Sequence, residues 1–193
     1  MKSQNFECSL PSGYHEAFVI DATKGKFSLW LNVVAMALMV VIAVPLVAII
    51  FITAEEITIN STFLLILCGL LIVYTILHEL THGIAYKAMT GEKLTFGLTL
   101  TVAYCGVPKI FVYRKTALVA LLAPFTVYSI LFIALMIALP DPTMKLAVAL
   151  LFAIHFGGCA GDLYDTFIYL TKFRDPTTLM QDTGPRQVFY VRD

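Results

Sequence analysis

The residues His78-Glu79-Leu80-Thr81-His82 carry the clearest chemistry in this chain. Positions four apart on a helix differ by about 40° in direction, so both imidazoles face one side and can grip a single metal ion. Zinc suits such a pair. Glu79, beside the first ligand, is placed to take a proton from a water that the metal activates and to return it to a leaving amine. All three groups lie where an apolar run ends. Inside a membrane span each would cost at least about 2.5–3.5 kcal/mol on insertion scales, so they persist there with a partner or a function. The plainer reading is a solvated cluster at the polar interface, where the span emerges.

A catalytic zinc site needs a third protein ligand and an open position. The candidates are His15, His155, Asp162 and Asp165. His78 lies 18 residues after Asn60 and Asp162 lies 17 after Lys145. In two spans running the same way at 1.5 Å per residue, both sit about 26 Å from the outer surface. Asp162 is therefore level with the histidines. Asp165 is one turn lower and His155 two turns higher on a similar face, and both stay open as alternatives. Gly157, Gly158, Ala160 and Gly161 surround Asp162 with minimal side chains, which allows close helix approach and is equally what ordinary small-residue packing uses.

The elements that hold these residues must be membrane spans. Of 193 residues, 59% are hydrophobic and 13% charged, which excludes an ordinary water-soluble globule. The 13 basic and 13 acidic residues cancel, so no basic excess points to nucleic acid as a partner. The run 27–54 carries no charge and exceeds the roughly 30 Å of a hydrocarbon core. Its length and its Phe51-Ile52 ending are unlike a signal peptide. Further apolar runs at 60–86, 116–140 and 146–170 complete an expected all-α integral membrane protein, with about four transmembrane helices in a single domain over 1–193. Asn60 reads as a helix cap rather than a glycosylation site, and Pro45 and Pro124 as bends or starts of their spans with no functional meaning. Trp30, Tyr104, Tyr113 and Tyr164 read as interfacial aromatics.

Twelve of the 13 basic residues fall on one side of these spans, with only Lys145 opposite. The positive-inside rule then places a multi-pass protein in the cell membrane with segment 1–26, the middle loop and tail 171–193 in the cytoplasm. Within the middle loop, Leu94, Phe96, Leu98, Leu100 and Val102 alternate with small or polar residues, and Ile110-Phe-Val-Tyr113 follows. This predicts a short cytoplasmic-side β-hairpin over 94–113, lying against the helices or the inner leaflet. The tail, with Pro176, Gly184 and Pro185, reads as partly ordered. Cys8, Cys68, Cys105 and Cys159 are too scattered for a disulfide framework or a thiolate zinc site.

With these motifs in hand, the chain resembles the membrane-embedded zincins. These are the site-2 protease class of intramembrane metalloproteases and, more closely, a bacterial family described as putative zincin peptidases. The resemblance is carried by His78-Glu79-Leu80-Thr81-His82-Gly83, by Ala123-Pro124 and by Gly158-Cys-Ala-Gly-Asp162, and it extends from about Phe27 to the tail. It implies zinc held by His78, His82 and an aspartate from a later span, Glu79 as general base, and a site open toward the cytoplasm. The Asn-Pro-Asp-Gly type stretch of site-2 proteases is absent.

The expected function is an intramembrane zinc endopeptidase acting on a membrane protein or peptide in the bilayer, with the hairpin offering an edge strand that holds substrate extended. The alternatives are a non-enzymatic membrane protein that binds or transports zinc, and a catalytically inactive zincin-like adaptor. Almost wholly apolar outer span halves argue against a transport path, and the complete His-Glu-x-x-His argues against lost catalysis.

Overall fold

A computed structural model describes residues 5–23, 25–98 and 103–193. Its elements run β1 (Phe6–Glu7), β2 (Tyr14–Asp21), α1 (Gly25–Thr53), α2 (Ser61–Thr90), β3 (Thr95–Leu98), β4 (Ala103–Gly106) and β5 (Phe111–Tyr113). There follow α3 (Arg114–Ala138), α4 (Pro142–Gly158), α5 (Ala160–Thr171), β6 (Leu179–Asp182) and β7 (Arg186–Arg192). Helices α1, α2 and α3 are each long and apolar enough to cross a membrane, and α4 with α5 passes that test only as a pair bent by 45°.

Local chemistry sets the helix ends. Asn60 caps α2, its Oδ1 accepting from the Phe63 N–H at 2.9 Å, as its sequence position suggests. Asp141 caps α4 by accepting from the Thr143 N–H at 2.7 Å, and Pro142 follows at the first helical position, so this helix starts four residues before the expected 146. No residue of α1 is buried, although its composition is almost wholly apolar.

The contacts divide the chain into two units. The first comprises Leu31–Leu77 and Phe125–Ala160. Its core is Tyr74, Tyr128, Phe132, Val148, Leu151 and Phe152. His155 is fully buried there, with Nδ1 2.8 Å from the Tyr74 hydroxyl and Nε2 3.1 Å from Ser129 Oγ. A Cβ on Gly157 would lie 2.9 Å from the Ala35 carbonyl, so only glycine lets α4 lie this close to α1.

The second unit comprises Met1–Trp30, His78–Pro124 and Gly161–Asp193. Here the all-α expectation needs correction, because an antiparallel five-stranded sheet of order β1-β5-β6-β7-β2 stands beside the helices. The segments expected as a plain N-terminal stretch and a partly ordered tail pair with each other, Tyr14 with Arg192 through Asp21 with Arg186. Gly184 and Pro185 belong to the β6–β7 turn. The cause of the miss is physical: these strands are short, and partners some 170 residues apart leave no local signal. The hairpin expected over 94–113 is β3 with β4 only, while β5 leaves it for the larger sheet. Leu100 and Val102 of that expectation lie outside the described residues. Val112, Met180 and Phe189 of the sheet pack with Tyr86 of α2, Ala117, Ala120 and Leu121 of α3, and Ile168 and Tyr169 of α5.

Asp182 ties this unit together. Its carboxylate accepts from the Tyr86 hydroxyl at 2.6 Å and the Gly184 N–H at 2.8 Å, while its main-chain carbonyl accepts from the Val107 N–H at 2.8 Å. Burial lifts the Asp182 carboxyl to about 6, against the opposing pull of those hydrogen bonds. A carboxyl with a folded-state pKa above its unfolded value near 4 binds protons more readily when folded, so stability falls as pH rises through about 4 to 6. The thermal midpoint of the wild type, measured relative to Asp182→Asn, should therefore drop between about pH 5 and pH 7.5. A pH-independent difference would show that the carboxyl is not raised.

Candidate metal centre

α2 continues without a break through His78, Glu79 and His82, so the two imidazoles fall on one face with ring centroids 5.0 Å apart. Asp162 enters from the first turn of α5, where it also suits the positive end of that helix. Its Oδ2 lies 3.5 Å from His78 Nε2 and 3.4 Å from His82 Nε2. Both histidines are buried, at 6% and 7% exposure, in a part of the chain otherwise dominated by apolar side chains.

Those separations are long for direct charge-assisted hydrogen bonds, which lie near 2.7–2.9 Å. They match a shared ion: two donors each 2.0–2.2 Å from one centre at the tetrahedral angle stand about 3.4 Å apart. One imidazole pair and one carboxylate, with ligand atoms all within 4.8 Å of one another, is also a donor set that zinc takes readily. The residues present fit the metal.

α3 meets His82 one turn before a proline. Pro124 lies inside α3 and has no N–H, so the Ala120 carbonyl four residues earlier lacks its usual helical donor. That carbonyl accepts from His82 Nδ1 at 2.9 Å. A carbonyl can only accept, so a ring proton sits on Nδ1, which leaves Nε2 as the ring atom that faces Asp162. Pro124 thus leaves free the carbonyl that His82 meets.

β4 holds the carboxylate. The Cys105 N–H of β4 donates to Glu79, and the Val107 N–H just past the strand donates to Asp182, so this stretch serves α2 and then the sheet. Burial pushes the Cys105 thiol up to about 12, so it stays neutral. The hairpin reaches α2 at Gly83, where an added Cβ would lie 2.8 Å from a Phe96 ring carbon, 3.0 Å from Leu94 Cδ1 and 3.3 Å from Cys105 Sγ.

The match to known proteins follows this geometry. The model of a family described as putative zincin peptidase matches residues 71–176, more than half of the chain. The chain belongs to this family. The matched stretch spans His78, Glu79, His82 and Asp162 and ends before β6. The family name points to a zinc-dependent peptidase. No curated protein and no solved structure matches the chain.

His15 is on β2, 2.7 Å from the Asp193 carboxylate and largely exposed. His155 belongs to the other unit, with both ring nitrogens against hydroxyls. Asp165 is buried one turn beyond Asp162 and does not join His78, His82 and Asp162 in their cluster. Sequence reasoning missed the Ala120 carbonyl, the Cys105 N–H and Asp182. The first had a signal in Pro124, since a proline inside an apolar helix always frees a carbonyl.

Gly83→Val should force Phe96 and Cys105 off α2, costing about 1–3 kcal/mol and lowering the thermal midpoint. Amide exchange at Cys105 and Val107 should speed up. Gly69→Val, also in α2 but with nothing within 4 Å, serves as the control and should change little beyond helix propensity.

Proposed function

We propose that this protein is an intramembrane zinc metalloprotease of the cell membrane, with His78, His82 and Asp162 holding the metal and Glu79 as general base. The observation that carries the reading is the convergence of two Nε2 atoms and one carboxylate oxygen at 3.4–3.5 Å, with Glu79 on the same turn. A bound zinc ion supplies Lewis acidity, making water acidic enough to lose a proton near neutral pH and polarising a peptide carbonyl. The Glu79 carboxylate takes the proton of the attacking water and delivers it to the departing amine. The Cys105 N–H fixes the carboxylate for both steps, and the Ala120 carbonyl fixes the His82 ring.

Topology supports four crossings with both terminal segments in the cytoplasm. One sheet takes strands from before α1, from between α2 and α3, and from after α5. A hydrogen-bonded sheet cannot be shared across a bilayer, so the chain returns to one side after α1 with α2, and again after α3 with the bent α4–α5 pair. Twelve of 13 basic residues accompany that side. A membrane-spanning substrate must be unwound to present its carbonyls. β3 pairs only with β4 among the described residues, and its other edge is the place for an extended segment.

Elemental analysis tests the centre. Purified wild type should hold about one zinc per chain, with His78→Ala and Asp162→Ala losing it. Glu79→Gln should keep the metal while cleavage of single-span peptides in proteoliposomes falls by about 10²–10⁴. Folded wild type without stoichiometric metal would overturn the reading, and an active Glu79→Gln would remove the base.

Pro124→Ala restores an N–H that competes for the Ala120 carbonyl, so zinc affinity, read by chelator competition, should fall by about 10–100-fold. Unchanged affinity would mean that the freed carbonyl contributes nothing to the ligand.

A further inference from the structure

The inward face of α5 is polar along its length. Asp162, Asp165, Thr166 and Tyr169 follow the i, i+3, i+4, i+7 spacing of one helix face, and the last three are buried. A helix face turned into a protein interior is ordinarily apolar. Asp165 Oδ1, Thr166 Oγ1 and the Tyr169 hydroxyl have no hydrogen-bond partner among the described residues. Each such buried atom would cost about 1–3 kcal/mol if it stayed unsatisfied. Several adjacent to one another are what water needs in an interior, since a buried water makes about three hydrogen bonds to polar groups.

The stripe also leads somewhere. From Asp162 to Tyr169 it runs about 10 Å along the helix. Asp165 lies within electrostatic reach of His82, Asp162 and Asp182, and Tyr169 within reach of Asp165 and Asp182. Tyr86, one turn beyond His82 on α2, reaches Asp165 and Tyr169 and donates to Asp182. Beyond Asp182 come the half-buried Thr183, Gly184 and Pro185 of the β6–β7 turn. Carboxyl and hydroxyl groups therefore follow one another from the His78–His82–Asp162 cluster toward the sheet, ending in the Tyr86–Asp182 hydrogen bond, amid an otherwise apolar packing of Ala120, Leu121 and Ile168.

We propose that this face of α5, with Tyr86 and Asp182, lines a water-filled path between the metal centre and the β6–β7 turn. The ligand is water, held by Asp165, Thr166 and Tyr169. That it feeds hydrolysis rests on the peptidase reading; that the path is wet does not.

The test compares two buried positions of one helix. In a chain whose four native cysteines are replaced, reconstituted in lipid nanodiscs, Thr166→Cys is set against Ile168→Cys, which are 7% and 8% exposed but the second in the apolar core. Cationic ethylammonium methanethiosulfonate should modify Thr166→Cys at least about tenfold faster than Ile168→Cys, and faster than the anionic ethylsulfonate reagent does, because carboxylates line the route. A second measurement needs no variant: radiolysis of water in wild-type samples should oxidise Tyr86 and Tyr169 well above the similarly buried Phe132. Equal modification of positions 166 and 168, together with tyrosines as inert as Phe132, would overturn the path. Because neither readout involves zinc or cleavage, a wet path in a chain that binds no metal would sink the peptidase reading alone.

Discussion

Burying two imidazoles and a carboxylate in an apolar helix bundle is the constraint on which the rest of this structure depends. Unpaired, each polar group would forfeit several kcal/mol of hydration. The fold answers with one partner from each neighbouring element. α5 brings Asp162 to both Nε2 atoms, α3 brings the Ala120 carbonyl to His82 Nδ1, and β4 brings the Cys105 N–H to Glu79. Two of these three partners are main-chain groups. Main-chain groups are plentiful in a membrane protein, but helices consume them, so each had to be released by a local irregularity: a proline in α3 and a free strand edge at β4.

The sheet keeps those irregular groups in register. β4 is aligned by the Val107 to Asp182 bond, and Asp182 is in turn held by Tyr86, one turn past His82 on α2. The centre and the sheet are thus linked through two routes that both start on α2. This closes a loop of contacts among α2, the end of β4 and β6. It also explains why glycine stands at 83, where hairpin and helix meet with no room for a side chain. The family match ends at residue 176, before the strand that bears Asp182, so this linkage draws on a segment outside the shared stretch.

Much of the helical architecture could be read directly. The uncharged run 27–54 became α1, Asn60 capped α2, and the depth argument set Asp162 level with the histidines whose Nε2 atoms it meets. These worked because hydropathy, capping and helical rise are local or one-dimensional properties. The same reasoning failed on both ends of the chain. β1, β2, β6 and β7 are two to eight residues long, their pairing is non-local, and the Pro and Gly residues that suggested loose structure mark turns between them.

What the sequence by itself determined is the chemical inventory and its placement along each helix: a His-Glu-x-x-His pair on one face of α2, and an aspartate at the matching height of a later helix. Spacing decides both, since side chains on a helix are fixed in angle and height by residue number alone. Only the tertiary structure decided which main-chain groups meet those side chains, and that five strands from both ends and the middle make one sheet. A free carbonyl or N–H looks identical at every residue in a sequence, and its partner is chosen only when distant segments pack.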